Sequence, residues 1–160
     1  MLVEEDGVRI LLDPGSYTES QNTAKNIHVI LITHEHQDHF HIDSLKEILK
    51  NNLNVRIITN KAVGKLLDKE NIKHEIIENG QFTTEGGVGI EGCGEKHWEM
   101  YHTVAPVQNT GYLIAGSFYH PGDGFFVPKK KVEILALPVA GPWATLSECI
   151  DFALKVKPEI

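Results

Sequence analysis

Cysteine is scarce in this 160-residue chain: Cys93 and Cys149 stand far apart and form no CxxC pair. No disulfide framework can be built from them, and both read as reduced, buried small hydrophobes. Positive charge is short as well. Lys and Arg total 15 against 22 Asp and Glu, a formal net charge of −7, which argues against a nucleic-acid partner because phosphate backbones call for a basic patch. No apolar run approaches the length of a membrane span, and no basic-then-apolar signal segment opens the chain. The expectation is a cytoplasmic protein with no membrane partner. Repeats, linkers and low-complexity runs are missing too, so residues 1–160 read as one domain. What remains, 41% hydrophobic and 23% charged, is the composition of a globular domain long enough to bury a core.

Histidine is where the chain is rich. Thr33-His34-Glu35-His36-Gln37-Asp38-His39-Phe40-His41 packs four histidines and an aspartate directly behind the apolar run Val29-Ile30-Leu31-Ile32. Neutral imidazole and carboxylate are ligands of Zn²⁺ and similar ions, at roughly 2.0–2.2 Å. Within a short loop, His34 with His36 and Asp38 with His39 can enter one cavity as two pairs, which suits two adjacent ions. The bland alternative is a surface loop that happens to carry histidines. The spacing and the buried strand in front weigh against it.

Along the chain, Leu2 to Leu12 reads as two strands around an Asp6-Gly7 turn. Asp13-Pro14-Gly15 follows, with Asp13 either a turn residue only or a group behind the metal ligands. Ser16 to Asn26 is a polar loop. Ile27 to Thr33 is a strand buried on both faces. A helix runs from Asp43 to Lys50, capped by Asp43 or Ser44, with His41 a solvated or capping residue. Val55–Thr59 is a strand, Asn60 caps a second helix, and His74–Glu78 is an outer strand. The second half is largely β: strands Val88–Gly92, Tyr112–Ala115, Phe118–His120 and Val132–Leu137. A capping box, Thr145-x-x-Glu148, then opens a helix from Leu146 to Val156. Leu146, Ile150, Ala153 and Leu154 are its expected core face. Alternating strands and helices call for an α/β sandwich with helices outside the sheets.

A dinuclear site needs ligands from other strand ends, and His97 and Asp123 lie there. With His34, His36, Asp38 and His39, and with Leu11-Leu12-Asp13-Pro14-Gly15, Asn109-x-Gly111-Tyr112, His120-Pro121-Gly122-Asp123 and Leu137-Pro138-Val139-x-Gly141, they form an ordered pattern over nearly the whole chain. In it the sequence resembles the metallo-β-lactamase-fold hydrolases, in particular the small metal-dependent hydrolases that include the ascorbate-6-phosphate lactonases. The resemblance implies a four-layer αββα sandwich with metals at the common edge of its two sheets. It implies that His34, His36 and His97 hold one ion, that Asp38 and His39 hold a second, and that Asp123 bridges both. His102 competes with His97 for its role, and His120 falls behind the ligands. The family also begins with a further strand and supplies one more histidine after a strand that would start about Lys157–Ile160. The expectation is therefore a fold lacking its first and last strands, truncated at the C-terminus.

Two Zn²⁺ per chain are expected, with Mn or Fe as alternatives and a single ion if the chain ends at Ile160. The implied reaction is hydrolysis of a small-molecule ester, lactone or phosphoester by a metal-bound hydroxide, the pKa of water falling from about 15.7 toward roughly 7. Asp38 would orient that nucleophile and pass a proton to the leaving group. Trp98, Tyr101 and Trp143 either line a substrate pocket or pack. The competing reading is a non-catalytic metal-binding remnant or interaction module of the same fold, and behind it a nuclease or phosphodiesterase.

Overall fold

The computed structural model describes residues 1–160 apart from Met100, Tyr101, Val104 and Ala140. Its first hairpin forms as the residues dictate. Asp6 and Gly7 both take positive φ, 48° and 79°, the tight turn whose twist matches its strands. Strand β1 (Leu2–Glu5) thereby pairs antiparallel with β2 (Val8–Leu12). Strands β3 (Val29–Leu31), β4 (Arg56–Thr59) and β5 (Glu75–Ile76) add in parallel, giving a first sheet in the order β1-β2-β3-β4-β5. The parallel crossovers carry α1 (Ile42–Asn51) and α2 (Lys61–Lys69). The cap of α1 is His41, whose imidazole accepts from the Ser44 N–H, and not Asp43 or Ser44. A ring nitrogen does there what a Ser or Asp oxygen usually does, and Asp43 sits in the first turn, where the helix dipole favours it. Asn60 caps α2, as expected.

The second sheet runs β10-β9-β8-β7-β6. Its members are β6 (Phe82–Glu85), β7 (Val88–Cys93), β8 (Gly111–Ile114), β9 (Phe118–His120) and β10 (Ile134–Leu135). Two expectations change here. Ala115 leaves its strand, because at φ 53° it forms the turn with Gly116. The strand expected over Val132–Leu137 narrows to two residues, since β10 is an edge strand with few ladder partners.

Three apolar layers join these parts into an αββα sandwich. Between the sheets lie Ile10, Leu12, Val29 and Leu31 against Val88, Ile90, Tyr112 and Ile114. Ile30, Ile32 and Leu11 turn outward onto Leu45, Ile48, Val63 and Leu67 of the two helices. Strand β3 is therefore buried on both faces, as its unbroken apolar run requires.

The third layer corrects the reading of α3 (Leu146–Val156), whose capping box is present. It meets the second sheet through Phe152, with Ala153 and Val156 beside it, against Leu113, Tyr119 and Leu135. Cys149 is buried, whereas Leu146, Ile150 and Leu154 are exposed. At roughly 100° per residue the 149/152/153/156 stripe and the 146/150/154 stripe occupy adjoining faces. Periodicity cannot choose between two apolar stripes. The wide aromatic Phe152 fills the hollow of the sheet and takes the inner face. No helix among the described residues is long and apolar enough to cross a membrane.

Candidate metal centre

The histidine loop begins where β3 runs out of partners. Past Ile32, whose N–H donates to the Ile58 carbonyl, the chain leaves the sheet. The carbonyl of Thr33 accepts from the Thr110 N–H (2.9 Å) and the Asn60 side chain (2.8 Å). The N–H of Thr33 donates to Asp13 Oδ1 at 2.8 Å. From this anchored point the loop folds on itself, the His36 carbonyl accepting from the N–H groups of His39 and Phe40. Gly15 passes so close to the Asp38 carbonyl that a Cβ there would overlap it, so no other residue fits without moving the loop.

The structure brings His34, His36, His97 and Asp123 together, one ligand atom of each within 4.8 Å of the others. Asp38, His39 and Asp123 form a second such group. Asp123 belongs to both. Its Oδ2 lies 3.3 Å from His97 Nε2 and 3.9 Å from His34 Nε2, and its Oδ1 lies 3.2 Å from His39 Nε2. His102, the alternative to His97, is exposed and lies outside both groups.

The imidazoles of His34, His39 and His97 are each held by the nitrogen that faces away from the cluster. His97 Nδ1 donates to the Trp98 carbonyl at 2.6 Å. His34 Nδ1 meets Thr33 Oγ1 at 3.0 Å, and that hydroxyl donates to Asp13 Oδ2. His39 Nδ1 and His120 Nε2 both donate to Asp13 Oδ2 at 2.7 Å. Asp13 is thus more than the turn residue it first suggests, since its carboxylate collects three side chains and a backbone N–H. It does so at φ 48°, a left-handed conformation that Asp tolerates better than most residues.

Charge follows from the same geometry. Burial lowers the pKa of His34 to about 3, with the nearby His39 adding to the effect, so His34 presents a lone pair. Burial also lowers His36. It works against His39 too, but Asp13 and Asp123 on either side outweigh it and raise that pKa to about 10. Burial likewise opposes ionisation of Asp13 and Asp123. Their imidazole partners prevail and hold both carboxyls below the usual range. Paired carboxylates with a trapped imidazolium are an arrangement in which a divalent cation can replace a proton. His97 Nε2, buried, aimed at the cluster and without a hydrogen-bond partner, makes the same point. The donor set suits a divalent metal ion.

Asn109 was visible in the sequence only as part of a pattern. Its amide donates to the Pro121 carbonyl and accepts from the Asp123 N–H (2.8 and 3.1 Å), bracing the turn that presents Asp123. Gly122 in that turn has φ 61°, and a Cβ on it would strike Asn109 Oδ1. Of the three aromatics noted, Trp143 is buried edge-on to His97, with ring centroids 5.4 Å apart, while Trp98 is part-exposed beside it. Tyr101 lies outside the described residues. Phe125 and Phe126 carry no sequence signal beyond following Asp123-Gly124.

A fold with metal-ligand groups at the shared edge of two sheets defines a class, and comparison with known proteins agrees. The profile described as a β-lactamase superfamily domain matches residues 1–160, and the chain belongs to that superfamily. It is 31% identical over 168 residues to a UPF0173 protein of Pyrococcus abyssi, covering 99% of this chain and 75% of that one. A UPF0173 metal-dependent hydrolase of Lawsonia intracellularis is 26% identical over 171 residues (96% and 73%). A crystal structure from Parabacteroides distasonis, named as a metal-dependent hydrolase, superposes with a TM-score of 0.76 at 25% identity (98% and 74%).

Proposed function

We propose that this chain is a metal-dependent hydrolase acting on a small uncharged or weakly charged ester or lactone, with phosphoesters second. One observation carries the reading. Asp123 offers one carboxylate oxygen to the His34/His97 side and the other to His39, so it would serve as a ligand in both groups. His34, His36, His97 and Asp123 would hold one ion, and Asp38, His39 and Asp123 the other. When bound, such ions supply Lewis acidity and lower the pKa of water toward neutrality.

The remaining work falls to the chain. Asp38 is exposed, with Oδ2 3.6 Å from His39 Nε2, so it can reach both a water and a leaving group. It accepts a proton from the attacking water and returns it to the departing alkoxide oxygen, which balances ester plus water against acid plus alcohol. Asp13 keeps the ligand rings of His34, through Thr33, and of His39, directly, from rotating. The net charge of −7 supports a small molecule over a polynucleotide.

The test is elemental analysis of purified protein, then a screen of lactones, thioesters, carboxylic esters and phosphodiesters with and without chelator. Chelator-sensitive turnover is expected, and turnover indifferent to chelator overturns the reading. An Asp38→Ala variant with full metal content and full turnover would remove Asp38 from its role.

A further inference from the structure

Resting on the hydrolase reading, we infer that the cavity beside His97 is a subsite for a flat, uncharged hydrocarbon group. The substrate class is then an aryl-bearing ester, thioester or lactone without a phosphate. The cavity measures about 690 Å³ and is lined by His97 together with Trp98, Pro106, Phe125 and Phe126. That volume is ordinary for a small-molecule site, and His97 belongs both to its lining and to the ligand cluster.

Its aromatic wall is held from behind. Phe125 stacks on the core residue Phe152 at 4.9 Å between centroids and lies 5.5 Å from buried Trp143. Trp98 leans on Phe125 at 4.8 Å, and its indole N–H donates to Glu148 Oε1 at 3.3 Å. Phe126 sits against Gly94, where an added Cβ would come within 2.9 Å of its own Cβ. With their backs fixed, Trp98 and Phe126 still keep 36% and 38% of their surface open. Preset aromatic faces favour a planar apolar group, because little ordering is left to do on binding.

The charges point the same way. Among the described residues the wall carries one lysine, Lys96, and besides His97 one further imidazole, His102, against two carboxylates, Glu95 and Glu99. A planar guanidinium fork is what grips a phosphate best. The chain's two arginines stand at the opposite end of the first sheet, where Arg9 pairs with Glu4 and Arg56 with Glu75 and Glu85. A second cavity, about 580 Å³, lies at that far end, between Leu53, Ile72 and Glu75. It has none of the metal-ligand groups found among the described residues.

The experiment uses metal-loaded protein and reads binding apart from turnover. By calorimetry, 2-naphthalenemethanol is expected to bind one-to-one, at least five-fold more weakly to Trp98→Ala and nearly as well to Trp98→Phe. Thermal melts confirm that both variants fold. Hydrolysis of 2-naphthylmethyl acetate should exceed that of ethyl acetate by ten-fold or more in kcat/KM, chiefly through KM, and Trp98→Ala should shrink that ratio. Tighter binding of 2-naphthylmethyl phosphate that is weakened by Lys96→Gln and untouched by Trp98→Ala would overturn the subsite. So would hydrolysis with no preference for the aryl ester and no binding of the alcohol. Binding of the alcohol without chelator-sensitive hydrolysis would instead sink the hydrolase reading and uphold the subsite.

Discussion

Asp13 decides more than its exposure suggests. Its carboxylate takes hydrogen bonds from the Thr33 N–H and hydroxyl, from His39 and from His120. Only His39 among these is itself a proposed ligand in direct contact with it. Asp13→Asn preserves shape and tolerance of positive φ but removes the charge that orients two imidazoles. We expect metal affinity at the Asp38/His39/Asp123 group to fall about 10–100-fold, with a smaller loss at the His34/His36/His97 group. Competition titration against a chromophoric chelator reads the two steps separately, and equal losses would show that Asp13 does not act through His39. Cys93 gives a second test at this scale. Burial, with Glu91 nearby, pushes its thiol up to about 12, and thiolate is the reactive form. Iodoacetamide at pH 8 should leave Cys93 unmodified in native protein and label it in denaturant, as peptide mass mapping would record.

Among the elements, α3 separates amphipathic pattern from packing. Phe152 is 2% exposed and Leu154 66%, though both are large apolar residues of one helix. Phe152→Ala should cost about 3–5 kcal/mol through transfer and cavity terms together. Leu154→Gln should stay within about 0.5 kcal/mol of the parent. Urea unfolding of the two variants side by side tests this, and comparable losses would mean that α3 docks by its other stripe. The start of this helix needed no tertiary help, since Thr145 and Glu148 satisfy each other's backbone N–H groups.

For the whole molecule, the ligand cluster joins parts that the core also joins. The histidine loop leaves the first sheet and Asp123 leaves the second. An ion held by both bridges the sandwich and stabilises only the folded state. At one hundred times its dissociation constant that is worth about 2.7 kcal/mol, and at about 2–4 °C per kcal/mol in a domain of this size, chelation should lower Tm by roughly 5–10 °C. Differential scanning calorimetry before and after removal of metal measures it. An unchanged Tm would mean that no ion spans the sheets.

Much of this was legible in the residues, for local reasons. Asp6-Gly7 dictates its hairpin, the unbroken run before Thr33 dictates a strand covered on both sides, and His34-x-His36-x-Asp38-His39 concentrates ligands that local spacing alone brings together. The pattern extending to Asp123 was enough to indicate the family. What the residues could not disclose depends on contacts distant in sequence. His97 rather than His102 joins the cluster because the His97 N–H and the Trp98 N–H are tied to Val107 and Asp123 carbonyls. Asp13 serves the ligand rings because His120, 107 positions away, folds back to meet it. The stripe of α3 that faces inward was chosen by the hollow it had to fill. Sequence by itself determined the ligand chemistry and the sandwich, because turns, runs and periods are local. Only the tertiary structure decided which groups converge, because convergence is a property of two sheets packed together.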